Sequence, residues 1–172
     1  MASGNTLMYF TPLAGIPPAT VAAATDFIAG TSTPAENIPV LAFDSASTEY
    51  MDFRGKMPQH YAAGGLTIVV ASGAATATGG VRWELAFRSI EDDTEDLDTT
   101  AHTYDYNGVT VSTLASVVGE VTYDNITFTD GADMDSAGAG DEFILRLRRK
   151  HDDAGDTAAA DAYLHGLEIR ET

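Results

Sequence analysis

Cysteine is absent from all 172 residues. Without thiols there is no disulfide staple, no thiolate metal site and no cysteine nucleophile. Long apolar runs are missing as well. Although 44% of the residues are hydrophobic, no stretch approaches the roughly 18 apolar residues that a membrane-spanning helix needs. The opening residues, MASGNTLMYF, carry no basic segment ahead of an apolar one, so no secretory leader is expected there. Positive charge is the third scarcity: 9 Lys and Arg stand against 26 Asp and Glu, for a net charge of −17. Nucleic acid is bound by cations that displace phosphate counterions, and an anionic bilayer repels such a chain. Neither nucleic acid nor a membrane is therefore an expected partner. The acids are unevenly spread, with 5 acids and 2 bases in residues 1–60 and 21 and 7 in residues 61–172.

What the chain does have is strand pattern. Val81, Trp83, Leu85 and Phe87 alternate with Arg82, Glu84, Ala86 and Arg88, the period of two of a half-buried strand, which puts Trp83 in the core. Val40–Phe43, Glu49–Arg54, Leu66–Ser72, Val81–Ile90, Val109–Leu114, Glu142–Arg149 and Ala160–Glu171 read as strands. Gly119–Thr129 reads as one long strand interrupted near Asp124. In Glu142–Arg149, Phe143, Leu145 and Leu147 alternate with Ile144, Arg146 and Arg148. In the last strand Tyr163, His165, Leu167 and Ile169 oppose Leu164, Gly166 and Glu168. This number and spacing of strands predicts an all-β domain over residues 38–172, an antiparallel β-sandwich of jelly-roll type. Residues 1–37, punctuated by Pro12, Pro17, Pro18 and Pro34, read as an irregular N-terminal arm. Within it Thr20–Gly30 is either a short helix or a strand. The arm either packs on its own domain or docks on a neighbouring subunit.

Reactive constellations are poor. Six acids crowd Glu91–Asp98 without the spacing of a calcium loop, which predicts a solvated loop. Asp130, Asp133 and Asp135 form a second acidic stretch rich in turn chemistry. There is no GxSxG, and the nearest Gly-rich loop, DSAGAGD at 135–141, lacks a P-loop lysine. His60, His102, His151 and His165 stand apart in sequence. No catalytic, cofactor or metal residue is assigned, and no enzyme is expected, with a hydrolytic dyad or a pair of distant glycosidase carboxylates as the minor alternatives. Tyr104, Tyr106 and Tyr123, with Trp83, make either a sugar-stacking platform or ordinary core and cross-strand pairs. Arg146, Arg148, Arg149 and Lys150 gather at one strand end, as solvated charge or as a contact to an acidic neighbour such as another copy of the chain.

Phe53-x-x-x-Met57-Pro58-x-x-Tyr61, Gly64-Gly65-Leu66-Thr67 and Thr76-Ala77-Thr78-Gly79-Gly80-Val81-Arg82-Trp83, followed by Arg148-Arg149 and His151-Asp152-Asp153-Ala154-x-Asp156-Thr157-Ala158, resemble a family of tailed-phage virion proteins. The resemblance runs from about Val40 to the C-terminus, and its motifs are structural rather than chemical. It implies a capsid decoration (cement) protein with a jelly-roll fold on the outer capsid surface. Such a protein stabilises the head by bridging subunits of the major capsid protein, as a homotrimer. It also implies that residues 151–157 join two strands, with Asp156 and Thr157 pinning the turn rather than binding a metal. Leu7, Met8, Tyr9, Phe10, Ile16, Phe27, Arg146, Arg148 and Arg149 are then the expected inter-subunit contacts. The alternative is a receptor- or carbohydrate-binding module on a tail or cell surface, with Tyr104, Tyr106 and nearby acids forming its groove, with or without calcium.

Overall fold

The alternating segments fold as their pattern predicts. A computed structural model describes residues 4–75, 79–90, 97–98 and 102–172. Among them are ten strands: β1 (Thr6–Phe10), β2 (Ala24–Ala29), β3 (Asn37–Phe43), β4 (Glu49–Lys56), β5 (Leu66–Ala74), β6 (Gly80–Ile90), β7 (Gly108–Thr113), β8 (Thr122–Phe128), β9 (Glu142–Arg149) and β10 (Ala162–Glu171). They form two antiparallel sheets. One runs β2-β3-β10-β5-β8, with β1 also paired to β10; the other runs β4-β9-β6-β7. The architecture is the antiparallel jelly-roll β-sandwich expected.

Alternation decides which side chains meet between the sheets. Met51 and Phe53 from β4, Trp83 and Leu85 from β6, and Phe143, Leu145 and Leu147 from β9 point inward, all at most 1% exposed. They meet Leu41, Phe43, Leu66, Ile68, Leu164, Leu167 and Ile169 of the facing sheet in one continuous core. Trp83 packs edge-on to Phe43 at 5.1 Å.

The segment read as an arm supplies two of the strands. β1 pairs with β10 through Met8↔Ile169 and Phe10↔Leu167, and β2 pairs with β3 along Ala24–Ala29. Leu7, Met8 and Phe10 pack against the core of their own chain, and the Phe10 ring lies 5.5 Å from Phe53 and 6.4 Å from Phe143. Tyr9, Ile16 and Phe27 are the exposed members of the expected contact set. Proline did not prevent strand pairing because Pro12 opens a 3-10 turn and Pro17 and Pro18 lie between the strands.

Two sequence expectations change in detail. Thr122–Phe128 is one unbroken strand that begins after Gly119. β10 departs from strict alternation: its register against β5 slips between Leu164 and Gly166. This bulge puts Leu164, Leu167 and Ile169 in the core and leaves Tyr163, His165 and Glu168 on the outer face. A bulge inserts one residue without a partner and so resets the parity of everything after it.

The connection between β9 and β10 closes one end of the sandwich. Arg149 turns inward and is fully enclosed, with 0% of its side chain exposed against 2% for Asp156. Its Nε and Nη2 donate to the two Asp156 oxygens at 2.9 and 2.7 Å. Its remaining donors reach the carbonyls of Phe43, Ala160 and Ala158. Asp156 also accepts from the Arg82 N–H, and Thr157 Oγ1 from the Gly80 N–H. Asp156 and Thr157 thus pin the turn.

Candidate functional site

The outward side of the four-stranded sheet follows from the same alternation. Asp52 and Arg54 on β4, Arg146 and Arg148 on β9, and Arg82 and Glu84 on β6 all lie on it. Six of the nine bases stand there: Arg54, Lys56, Arg82, Arg88, Arg146 and Arg148. Three strand carboxylates accompany them, Asp52, Glu84 and Glu142. In a chain of net charge −17, these strand residues therefore make a patch in which bases outnumber acids.

Cross-strand registry pairs these charges. Asp52 sits opposite Arg146, and Glu84 opposite Arg148. Arg146 donates from Nε and Nη2 to the two oxygens of Asp52 at 2.6 and 2.7 Å. Arg148 Nε donates to Glu84 Oε2 at 2.7 Å, while Arg82 Nε donates to Glu84 Oε1 at 3.2 Å. Glu84 is thus held between two guanidiniums, with its side chain only 7% exposed. Arg54 pairs with Glu142, and the Arg88 Nη2 meets the His102 Nε2.

Residues 102–107 lay an aromatic layer on this charged one. The Tyr104 ring covers the Arg146 guanidinium at 3.8 Å from its centroid, and the Tyr106 ring covers that of Arg148 at 3.6 Å. Both pairs keep a two-residue spacing, so side chains on the same face of two extended segments match one to one. A cation against a ring face is attracted by the ring quadrupole, by about 0.5–2 kcal/mol depending on desolvation. Burial pushes the Tyr106 phenol up to about 12, against the opposing pull of Arg148 and Arg146. Tyr50, Tyr104 and Tyr106 all remain partly exposed.

The structure brings together residues that the sequence offered as two separate groups. Tyr104 and Tyr106 were candidates for a sugar platform, and Arg146 and Arg148 for a contact with an acidic neighbour; they are stacked partners. Arg149, three positions beyond Arg146, is not on this surface. It belongs to the interior, where all of its contacts are within the chain. Asp52, Arg82 and Glu84 were not singled out. Their signal was a charged residue at each outward position of strands flanking Arg146 and Arg148. Trp83, one of the platform candidates, lies in the core at 0% exposure, and Tyr123 lies on the other sheet. Most of the acidic run Glu91–Asp98 lies outside the described residues. Among the described residues no group of three or more His, Asp or Glu is arranged to hold a metal ion.

No family model and no curated protein matches this chain. Its fold is nevertheless shared with solved structures. It is similar to the CBM22-1 xylan-binding domain of Paenibacillus barcinonensis Xyn10C, with a TM-score of 0.54 and 10% identity over 99% of this chain and 96% of that one. The CBM22-2 xylan-binding domain of the same protein gives 0.52 and 10% identity over 96% and 99%. The CBM22-1-GH10 modules of Clostridium thermocellum Xyn10B, complexed with xylohexaose, give 0.52 and 9% identity. There the match covers all of this chain and 29% of the other. The fold is thus the jelly-roll sandwich of carbohydrate-binding modules.

This finding overturns the expectation of a virion capsid decoration or cement protein, because the similar structures are carbohydrate-binding modules and not phage proteins. The physical reason lies in the motifs behind that expectation. Gly65 takes a left-handed φ of +83° at a turn, and Arg149 and Asp156 form the internal pin. These residues specify a sandwich, and a sandwich hosts many functions.

Proposed function

We propose that this chain is a carbohydrate-binding module whose ligand lies on the outward face of the four-stranded sheet. One observation carries the reading: Tyr104 and Tyr106 are each held flat on an arginine, beside carboxylates that the same arginines fix in place. Sugar recognition needs an aromatic surface for the C–H face of a ring and rigid polar groups for its hydroxyls. Guanidiniums offer donors and Asp52, the more open of the two central carboxylates, offers acceptors, while Glu84 holds Arg82 and Arg148 in place. Because they already pair with one another, little side-chain freedom is lost on binding. The fold shared with xylan-binding domains supports the same reading and makes xylan the first polymer to test. No catalytic step is assigned; the chemistry is adhesion.

The test is affinity electrophoresis and titration calorimetry with soluble xylan, mixed-linked β-glucan and mannan, comparing the unaltered chain with Tyr106→Ala. Retention by at least one polymer, weakened roughly tenfold by the substitution, is the expected result. Unretarded migration on every polymer overturns the proposal. So does binding that the Tyr106 and Tyr104 substitutions leave untouched.

A further inference from the structure

The opposite side of the sandwich carries a groove that the sheet-face site does not use. It has a volume of about 180 Å³ and is lined by Tyr9, Val69, Ala71, Val121, Tyr123, His165 and Glu168. It crosses β10 and β5, with Tyr9 of β1 on one bank and Tyr123 of β8 on the other. Three strand spacings separate the two tyrosine backbones, roughly 14 Å. Both rings are open to solvent, at 54% and 71% exposure.

The sequence builds this groove deliberately. The bulge in β10 turns His165 onto the outer face and leaves Gly166 beside it. A Cβ on Gly166 would stand 2.1 Å from Tyr9 Oη, and one on Gly73 would stand 2.9 Å from His165 Nε2. Two missing side chains therefore let Tyr9 and His165 lie down across the sheet. Tyr9 Oη donates to the His165 carbonyl at 3.3 Å, which anchors one bank. Glu168 is fixed by Arg170 Nη2 at 2.5 Å and by the Thr6 hydroxyl, and each of its oxygens keeps acceptor capacity. His165 Nε2 is buried with no hydrogen-bond partner among the described residues, an unspent polar group at the groove's wall.

We infer that this groove is a second glycan site, seating a single sugar ring between Tyr9 and Tyr123 with Glu168 accepting from its hydroxyls. Its size decides for one ring: a pocket for a whole small ligand is usually about 300–1,000 Å³. Open aromatic banks and an apolar floor of Val69 and Ala71 suit the C–H faces of a pyranose, and a fixed carboxylate suits its rim of hydroxyls. The ligand class follows the reading above, but no residue is shared with the sheet-face site. The two sites look out from opposite sheets, so one stretch of a linear glycan cannot occupy both. A module so built ties two glycan chains together and gains avidity on a dense polymer surface.

The experiment is titration calorimetry of the full chain with xylohexaose, cellohexaose and mannohexaose, for the unaltered protein, Tyr123→Ala, Gly166→Ala and Tyr106→Ala. Tyr123 is 71% exposed and lies outside the core cluster, so its removal leaves the fold intact, which unfolding curves check. Two hexasaccharides per chain, falling to one in both Tyr123→Ala and Gly166→Ala, is the expected result. Loss of all binding in Tyr123→Ala with none in Tyr106→Ala also upholds the groove, and moves the principal site to it. Unchanged stoichiometry and affinity in Tyr123→Ala and Gly166→Ala, with loss in Tyr106→Ala, overturns the groove and leaves the sheet-face reading standing. Absence of binding by any form overturns both.

Discussion

The two outer faces of this sandwich hold their tyrosines in opposite ways. The four-stranded face is charged and already paired: Asp52 with Arg146, Glu84 with Arg148 and Arg82, and tyrosine rings laid over two of the guanidiniums. The six-stranded face is sparsely charged at its groove and leaves its tyrosine rings open to solvent, with Tyr9 anchored only through its hydroxyl. On the first face each aromatic ring has one side committed to an internal cation. On the second, glycines and a bulge make room and the rings stay open to solvent. The same residue type is thus rigid where charge supports it and accessible where small residues surround it.

Arg149→Met breaks what the two faces share. Arg149 belongs to β9 of one sheet and hydrogen-bonds the Phe43 carbonyl of β3 in the other. Its loss strands the Asp156 carboxylate in the interior, an expected destabilisation of about 3–5 kcal/mol, read from urea unfolding. A loss below about 1 kcal/mol would mean that the sheets are held together without this pin. Phe10→Ala separates the faces. The ring sits against Phe53 and Phe143 beneath β1, so about 2 kcal/mol of stability is lost, and the Tyr9 bank loosens while the Tyr104–Arg146 pair stays. Proton NMR shifts of the two tyrosines check that division; equal disturbance of both removes it.

Arg148→Met reaches only the charged face. It removes the cation under Tyr106 and one anchor of Glu84, and polysaccharide binding there is expected to weaken about fivefold. Calorimetry that registers no change would show that the ring needs no support. The smallest effects are in pH, and they have opposite signs. The folded-state value of Tyr106, about 12, lies above the ordinary 10. Its contribution to stability is therefore whole below pH 10 and is lost as pH rises through 12. Burial holds His165 below the ordinary 6.5, so its contribution is whole above pH 6.5 and declines as pH falls below that value. Thermal melts of Tyr106→Phe and His165→Gln across pH 5–12 should each flatten one limb only. A His165→Gln curve parallel to the parent between pH 5 and 6.5 contradicts the acid half.

The core of this fold could be read from alternation, because burial between two sheets imposes a period of two on β4, β6 and β9. The start of β10 could also be read, but not the bulge. Hydropathy around His165–Gly166 is consistent with either parity, and only the neighbouring strands decide. β1 was hidden by proline punctuation and by a partner, β10, at the far end of the chain, whereas β2, left open as helix or strand, pairs with the adjacent β3 across a connection that carries Pro34. The site was half legible: the tyrosines and arginines were visible as two clusters, but nothing local says that residues 102–107 pass over β9. Arg149 showed the reverse difficulty. Adjacent to Arg148 and identical to it in type, it points the other way by parity alone and ends in the interior instead of on the surface.

That inward arginine also changes what environments the chain tolerates. Small secreted domains commonly close their ends with a covalent clasp whose state depends on ambient thiols. Here the chain between β9 and β10 is fastened to the end of β3 by a guanidinium and a carboxylate, in a sequence with no cysteine. Thiol reductants cannot open this clasp and disulfide exchange cannot misplace it, because neither of its groups takes part in that chemistry.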